Sequence, residues 1–267
     1  FFSWSRSMGG NYIGIFAYYV ASPLSFLTVF FPVSKMPQAV EFLTVLKIGL
    51  CSLSFSVYGS YLARKYGKNL SFAVLVPSVC YAFMSYTMVY SLSIMWLDGV
   101  IMLPLILMGL EKIFDGARGL QYVICLTLLF ISNYYTGYMV GIFTGLYFLV
   151  RLISEYKKED QKKELSILGR FTVSSLLSIA MAAPILICAM KDLMSGKLSD
   201  VYYGYEPENT TNFVFGQFFT KLLHGKYDSI TNTGARPAVY CGFVMLALAL
   251  VYLVLRRIKW REKIGMV

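Results

Sequence analysis

The run LSILGRFTVSSLLSIAMAAPILICAM, residues 165–190, decides the class of fold. It is predominantly apolar and longer than the roughly 20 residues that a helix needs to cross a bilayer. A second run, AVYCGFVMLALALVYLVL at residues 238–255, is also predominantly apolar, and its 18 residues lie within the range of about 17–25 that a span uses. Neither run alternates apolar and polar residues with the period of two that is typical of membrane β-barrels. Both runs therefore predict transmembrane helices.

The composition of the whole chain agrees with these two runs. Its 267 residues are 57% hydrophobic and 14% charged, with a mean hydropathy of +0.62. A water-soluble domain carries charge on about a quarter of its residues, so a soluble fold is excluded. The net charge of +10 does not indicate nucleic acid, because the basic residues lie at the ends of apolar segments. We expect an all-α, polytopic helical membrane protein whose partner is the lipid bilayer.

Seven apolar segments are predicted to be membrane spans, since spans shorter than about 20 residues are tolerated where helices pack tightly. They are residues 40–63, 70–90, 94–113, 120–132, 136–153, 165–190 and 238–255. The fourth and fifth form one continuous apolar stretch, flanked by Arg118 and Arg151. Basic residues at both ends favour an even number of crossings, so this stretch is predicted to be a hairpin that turns at residues 133–135.

The distribution of Lys and Arg predicts which side of the membrane each loop faces. Most of them flank one side, which the positive-inside rule makes cytoplasmic. The predicted organisation is an outer loop with juxtamembrane elements at 1–38, a six-helix transmembrane bundle at 39–190, a long outer loop at 191–237, and a transmembrane helix with a cytoplasmic basic end at 238–267. An outward amino end requires an earlier span, so we expect further chain before Phe1.

Asp98 is the first candidate for chemistry. It lies about four residues inside the outer end of its span, on the order of 6 Å deep by helix rise. Carboxylates at such depth usually face a cavity or pair with a cation, and they often mark function. A catalytic Asp98 would deprotonate an acceptor hydroxyl or anchor a sugar. The structural alternative is a carboxylate that stabilises the amino end of its helix.

Two cations are candidates for binding a phosphate. Lys47 lies roughly 10 Å inside the first span by helix rise. Its side chain either extends to the interface, pairs with Glu41 or Asp98, or contacts a lipid phosphate. Arg236 lies at the mouth of the last span, where its planar donor fork suits phosphate, although a single Arg there is also a common interfacial anchor.

The predicted outer regions are rich in aromatic and amide side chains. The aromatic rings belong either to an interfacial belt or to a platform that packs on sugar rings, with amides that bind sugar hydroxyls. The candidates for such a platform are Trp96, Tyr18, Tyr19, Tyr134, Tyr135, Tyr240, Asn11 and Asn133.

The sequence predicts neither a zinc site nor a disulfide framework. His224 is the one histidine and has no Cys or His near it at ligand spacing. The five cysteines lie within or at the rim of apolar segments, where thiols behave as small hydrophobic groups. No cofactor is predicted with certainty, and a divalent metal stays possible.

Five strings in the chain carry a family resemblance. They are FSWSRSMGGNYIGIFAYYVASPLSFL at 2–27, LKIGL around Lys47, MWLDGVIMLPLILMGLEKI at 95–113, SNYYTGYMVGIFTGLYFL at 132–149 and RPAVYCG at 236–242. Together and in this order they resemble the bacterial YfhO membrane proteins, over essentially the whole chain.

The resemblance implies a function. Proteins of this kind resemble GT-C type glycosyltransferases associated with lipoteichoic acid glycosylation in Gram-positive bacteria. It implies transfer of a sugar from an undecaprenyl-phosphate donor to a cell-wall glycopolymer, in the cell membrane and on its extracytoplasmic face. The usual GT-C catalytic carboxylate lies in the first outer loop, a region expected before Phe1. The residues that match the rest of that loop are Trp4, Gly10, Asn11, Tyr18, Tyr19, Ser22 and Pro23, and Trp96-Leu97-Asp98 match a WLD string.

Two other functions are compatible with the same residues. A transporter or flippase for a lipid-linked saccharide or polymer would also use intramembrane charges and kinked helices. A non-catalytic subunit could bind glycan and assemble an enzyme complex.

Overall fold

In this computed structural model, the structure describes residues 2–3, 10–67, 71–155, 161–192, 194 and 240–254. Trp4, His224, Arg236, nearly all of the predicted outer loop 191–237 and residues 255–267 of the predicted basic end lie outside these described residues. The described chain is almost entirely helical, apart from one antiparallel pairing of β1 (Phe2–Ser3) with β2 (Gly10–Asn11). The all-α class is confirmed.

The helices follow the apolar segments closely. The principal helices are α1 (Tyr12–Ile15), α2 (Met36–Lys65), α3 (Ser71–Ala82), α4 (Ser85–Val89), α5 (Leu97–Phe114), α6 (Leu120–Ser132), α7 (Tyr134–Glu155), α8 (Gln161–Asp192) and α9 (Phe243–Val254). A π-helical turn at Phe16–Val20 continues α1, and 3-10 helices occupy Pro23–Phe30 and Val33–Lys35.

The number of complete spans differs from the seven predicted. Four described helices are long and apolar enough to cross a membrane: Val33–Lys65, Phe72–Val89, Tyr134–Ser154 and Gln161–Asp192. Three predicted spans are not among these four. Helix α6 has 13 residues, and the 18 residues of α5 include Asp98, Glu111 and Lys112. The span predicted at 238–255 lies partly outside the described residues, and its described helix, α9, has 12 residues. The protein is polytopic, and the count of seven is approximate.

A fifth span is formed if one bent pair of helices counts as a single crossing. Tyr12–Val20 and Pro23–Phe30 meet at 93°. The break falls at Ala21-Ser22, directly before Pro23, whose ring cannot continue the hydrogen-bonding pattern of a preceding helix. The sequence predicted an outer loop with juxtamembrane elements here, and that division of the chain stays a prediction.

The predicted hairpin between α6 and α7 is confirmed. Helix α6 ends at Ser132, Asn133 is extended (φ −160°, ψ 109°), and α7 begins at Tyr134. The two helices then pack closely, since a β-carbon added at Gly137 would lie 2.8 Å from Cδ1 of Phe130.

Helix α5 lies between two hydrophobic clusters. On one side Ile106, Leu110 and Ile113 pack with residues of α6, α7 and α8, including Tyr122 and Phe148. On the other side Val100 and Ile101 pack with Cys51 of α2 and Ala82 of α3. The two acidic residues of α5, Asp98 and Glu111, are therefore buried within the bundle.

Candidate functional site

A buried ion pair joins α2 to the beginning of α5. The Lys47 ammonium lies 2.8 Å from Oδ2 of Asp98 and also donates a hydrogen bond to the Ile94 carbonyl, at 2.9 Å. The two side chains are 0% and 4% exposed. An isolated charge at such a position is costly, so each of the two ions depends on the other.

Of the partners predicted as alternatives for Lys47, Asp98 is the one that it contacts in the structure. Glu41, one alternative, is exposed on α2. Asp98 also lies in the first turn of α5, where the partial positive charge of the helix amino end favours a carboxylate. The ion pair consequently explains how two charged side chains can be buried in an apolar bundle.

Aromatic rings cluster around Tyr18 near the same end of α5. We call Tyr18, Tyr19, Trp96, Tyr134 and Tyr135 the Tyr18 cluster. The ring of Tyr18 lies 4.7 Å from Tyr19, 5.7 Å from Tyr134 and 6.3 Å from Tyr135, centroid to centroid. The Trp96 indole donates to the Tyr18 hydroxyl at 3.1 Å, and its ring lies 6.4 Å from Tyr135. Three separate parts of the chain therefore meet at Trp96, which precedes Asp98 by two residues.

Asn133 holds this cluster together from inside. Its Nδ2 donates to the Tyr18 carbonyl at 2.9 Å, and its Oδ1 accepts from the backbone N–H of Thr136, also at 2.9 Å. The residue is 0% exposed. Both ends of its amide are thus engaged within the protein, so Asn133 positions Tyr18 and the start of α7.

The aromatic surface extends from the Tyr18 cluster towards α9. Tyr90 lies 5.0 Å from Trp96, and Tyr86 lies 4.9 Å from Tyr90. Next to Tyr86, the Ser85 N–H donates to the carbonyl of Tyr240 at 2.8 Å. Tyr240 therefore adjoins this surface through its backbone.

Most predicted site residues that the structure describes gather at one end of the bundle. Lys47, Asp98 and the Tyr18 cluster come together, with Asn133 among them. Asn11 pairs with Phe2 through the short β1–β2 ladder. Arg236 lies outside the described residues, and its suggested role in phosphate binding stays a prediction.

A second carboxylate at this end was missed by the sequence analysis. Asp192, the last residue of α8, lies so close to Gly14 that a β-carbon there would overlap its carboxylate. Asp192 is half-buried and near enough to Tyr134 to interact with it electrostatically. Its position at the outer end of a span was the available signal, but the residue was assigned to the loop 191–237.

The opposite end of α5 holds a larger charged network, also missed. Glu111 is 2% exposed and accepts hydrogen bonds from Lys65 at 3.0 Å, Arg151 at 3.0 Å and Tyr147 at 2.8 Å. Lys65 also pairs with Asp115 at 2.8 Å. Sequence reasoning used these cations only to assign the sides of the membrane, because the acidic partners lie on another helix.

Asp115 follows α5 and shows how this network affects ionisation. Burial by itself would raise the pKa of Asp115, but hydrogen bonds from Lys65 and from Tyr61, the latter at 2.7 Å, outweigh it. The pKa of Asp115 is therefore held below its ordinary value. The carboxylate remains ionised across the physiological range.

Within the described part of the chain, no three His, Cys, Asp or Glu side chains form a group that could hold a metal ion. The buried carboxylates Asp98 and Glu111 are instead each in contact with cations.

The fold and these sites define a class: a polytopic α-helical membrane protein with charged groups paired inside its bundle. The family model described as bacterial membrane protein YfhO matches residues 1–267, and the chain belongs to this family. It is 25% identical over 200 residues to a protein of Bacillus subtilis (strain 168) described as uncharacterized protein YfhO. That alignment covers 68% of this chain and 22% of the relative, so the chain spans less than a quarter of the relative's length. No solved structure matches the chain significantly.

Proposed function

We propose that this chain is part of an integral membrane glycosyltransferase. It would transfer a sugar from a polyprenyl-phosphate donor to a cell-wall glycopolymer such as lipoteichoic acid, at the extracytoplasmic face of the cell membrane. The observation that carries the proposal is the meeting of the Tyr18 cluster with the Lys47–Asp98 pair at one end of the bundle.

The Tyr18 cluster supports a role in sugar binding. Tyr19 and Tyr135 are 50% and 42% exposed, so part of each ring is open to a ligand. Aromatic faces pack on the apolar faces of sugar rings, while hydroxyl groups at the ring edges donate and accept hydrogen bonds. Since Asn133 and Trp96 hold Tyr18 by hydrogen bonds, the platform is organised before a sugar arrives.

The proposal gives Asp98 the role of the carboxylate that acts on the acceptor hydroxyl. Lys47, which contacts that carboxylate, would provide positive charge as the leaving phosphate develops negative charge. Because Asp98 is 3% exposed, this role requires the neighbouring residues to separate when the substrate enters. Asp192, half-buried beside Tyr134, is the alternative carboxylate for the same step.

The test uses the full-length protein reconstituted in lipid vesicles with a polyprenyl-phosphate sugar. Consumption of the donor is measured with and without a glycopolymer acceptor. We expect the wild-type protein to consume donor only when acceptor is present. Asp98→Asn should abolish transfer if Asp98 is the base, whereas Asp192→Asn should abolish it if Asp192 is.

Loss of activity in Asp98→Asn could also reflect loss of the ion pair. The double variant Lys47→Met/Asp98→Leu removes both buried charges and should restore folding. A double variant that is stable and inactive supports the chemical role. A double variant that transfers sugar at the wild-type rate would overturn it.

The sugar platform has its own matched control. Tyr135→Leu should reduce kcat/KM about 3- to 10-fold, the size expected for the loss of one aromatic contact. Tyr138→Leu changes a 64% exposed tyrosine on the same helix outside the Tyr18 cluster, and should leave kcat/KM unchanged. Equal effects of the two substitutions would contradict a specific platform.

A transporter for a lipid-linked saccharide is the second candidate function. The 93° break between Tyr12–Val20 and Pro23–Phe30 favours it, because broken helices line the substrate sites of many transporters. The vesicle assay separates the two functions: a flippase moves labelled lipid across the bilayer without acceptor. A protein that does neither by itself would instead be a subunit that binds glycan within a larger assembly.

A further inference from the structure

A cavity opens between the last turns of α2 and α5, at the end of the bundle opposite the Tyr18 cluster. Its volume is about 510 Å³. Arg64, Lys65, Lys112 and Asp115 provide its charged groups. Tyr61, Val57 and Met108 form the rest of its wall. Cations thus outnumber carboxylates three to one around a space that is large enough for a small anionic group.

Two of the three cations are not neutralised by the described carboxylates. Lys65 pairs with Glu111 and Asp115, as described above. Lys112 instead donates to the neutral amide of Gln121 at 2.7 Å and lies 5.5 Å from the centre of the Tyr61 ring. Arg64 is exposed, and its Nε donates to the Ser60 carbonyl at 3.3 Å. The charges of Arg64 and Lys112 therefore remain available to an anion.

We propose that this cavity binds the phosphate headgroup of an anionic phospholipid. It lies where two membrane-embedded helices end, on the side that the basic residues predict to be cytoplasmic. Basic pockets between transmembrane helices on that side are suited to anionic headgroups. Val57 and Met108 provide an apolar wall next to the cations, which suits a lipid better than a free phosphate ion.

The Arg64 guanidinium and the Lys112 ammonium would share the headgroup. Arg64 offers a fork of donors to two phosphate oxygens, and Lys112 adds a compact charge from the adjacent helix. Lys65, also in the cavity wall, is already paired with Glu111 and Asp115, so Arg64 and Lys112 supply the charge for the headgroup. The headgroup would link α2 to α5 at this end, as the Lys47–Asp98 pair links them at the other.

The test is retention of phosphatidylglycerol by the full-length protein in detergent, measured by native mass spectrometry and titration with a fluorescent analogue. Phosphatidylcholine, which has no net charge, serves as the comparison lipid. Arg64→Gln and Lys112→Gln should each weaken phosphatidylglycerol binding roughly 5-fold, and the double variant about 30-fold. Arg118→Gln is the matched control, because Arg118 is an exposed cation in the neighbouring α5–α6 turn that does not line the cavity.

The outcomes separate this site from non-specific attraction and from a free anion. Equal losses in Arg118→Gln and in the two cavity variants, or no loss in the double variant, would overturn the proposal. Displacement of the lipid by millimolar inorganic phosphate would also overturn it in favour of a small-anion site. If Arg64→Gln/Lys112→Gln fails to fold, Arg64→Lys/Lys112→Arg keeps both charges and should retain at least a third of the wild-type affinity.

Discussion

The two ends of α5 hold buried acids in contrasting ways. At the beginning of the helix, Asp98 forms its ion pair with Lys47, and both groups are almost completely buried. At the other end, Glu111 is bound by Lys65, Arg151 and Tyr147, and the two cations are 21% and 24% exposed. Helix geometry separates the two acids by roughly 20 Å.

This difference predicts how each end responds to change. In the Lys47–Asp98 pair, loss of one ion leaves the other buried without its counter-ion. In the Glu111 network, a cation that loses its partner can turn towards water or towards Asp115. The Lys47–Asp98 pair should therefore be sensitive to the substitution of either residue, whereas the Glu111 network should tolerate the loss of one partner.

The largest effect is expected from Lys47→Met. Removing the cation leaves Asp98 buried and unpaired, which should lower the free energy of unfolding by about 3–5 kcal/mol. The free energy is measured by denaturant unfolding in detergent micelles. The double variant Lys47→Met/Asp98→Leu should recover most of this loss, since no buried charge remains. A double variant as unstable as the single one would contradict the pair as the cause.

A smaller loss is expected from Glu111→Gln at the other end. The substitution weakens three hydrogen bonds, but Lys65 and Arg151 are partly solvated and stay charged near water. The free energy of unfolding should fall by about 2 kcal/mol, less than for Lys47→Met in the same assay. A loss equal to or above that of Lys47→Met would show that the two ends are equally dependent on their acids.

Asn133→Ala tests whether the Tyr18 cluster is organised from within. It removes the hydrogen bonds to the Tyr18 carbonyl and the Thr136 N–H, so we expect a loss of about 1–2 kcal/mol in stability. Quenching of tryptophan fluorescence by an aqueous quencher should also increase, if Trp96 becomes more accessible. Ser91→Ala is the control. It also removes a polar side chain, but the Ser91 hydroxyl donates only to the nearby Met88 carbonyl in an exposed turn. Equal effects of the two substitutions would contradict the role of Asn133.

The smallest effect is expected from the pH dependence of Asp115. Its pKa in the folded protein is lower than its ordinary value of 3.8, so ionised Asp115 stabilises the fold at pH values above about 4. This contribution is lost as the pH falls through the lowered pKa. Because the side chain is 45% exposed, we expect less than about 1 kcal/mol. Unfolding free energies of the wild type and Asp115→Asn should differ at pH 6, and the difference should shrink as the pH falls below about 4 and through the lowered pKa. A difference that stays constant over this range would contradict the assignment.

Much of the helical framework could be predicted from the chain itself. The hairpin at Asn133 followed from apolar length and the basic residues at its ends, because the cost of burying charge in lipid applies to any fold. The bend before Pro23 was harder to predict from sequence, since the same apolar residues are also compatible with a loop at the membrane surface. Glu111 was overlooked because an acid next to Lys112 at a helix end resembles an ordinary interfacial charge.

The amino-acid sequence by itself determined that this protein is helical and polytopic, because apolar length and the placement of Lys and Arg act locally and need no knowledge of neighbours. Only the tertiary structure decided which charges meet. Lys47 had three chemically reasonable partners, and the choice of Asp98 depended on the rotation and depth at which α2 packs against α5. The packing of α7 against α5 and against the turn Phe16–Val20 brought Tyr18, Trp96 and Tyr135 together from distant parts of the chain, since contacts between helices depend on shape and register and not on local composition.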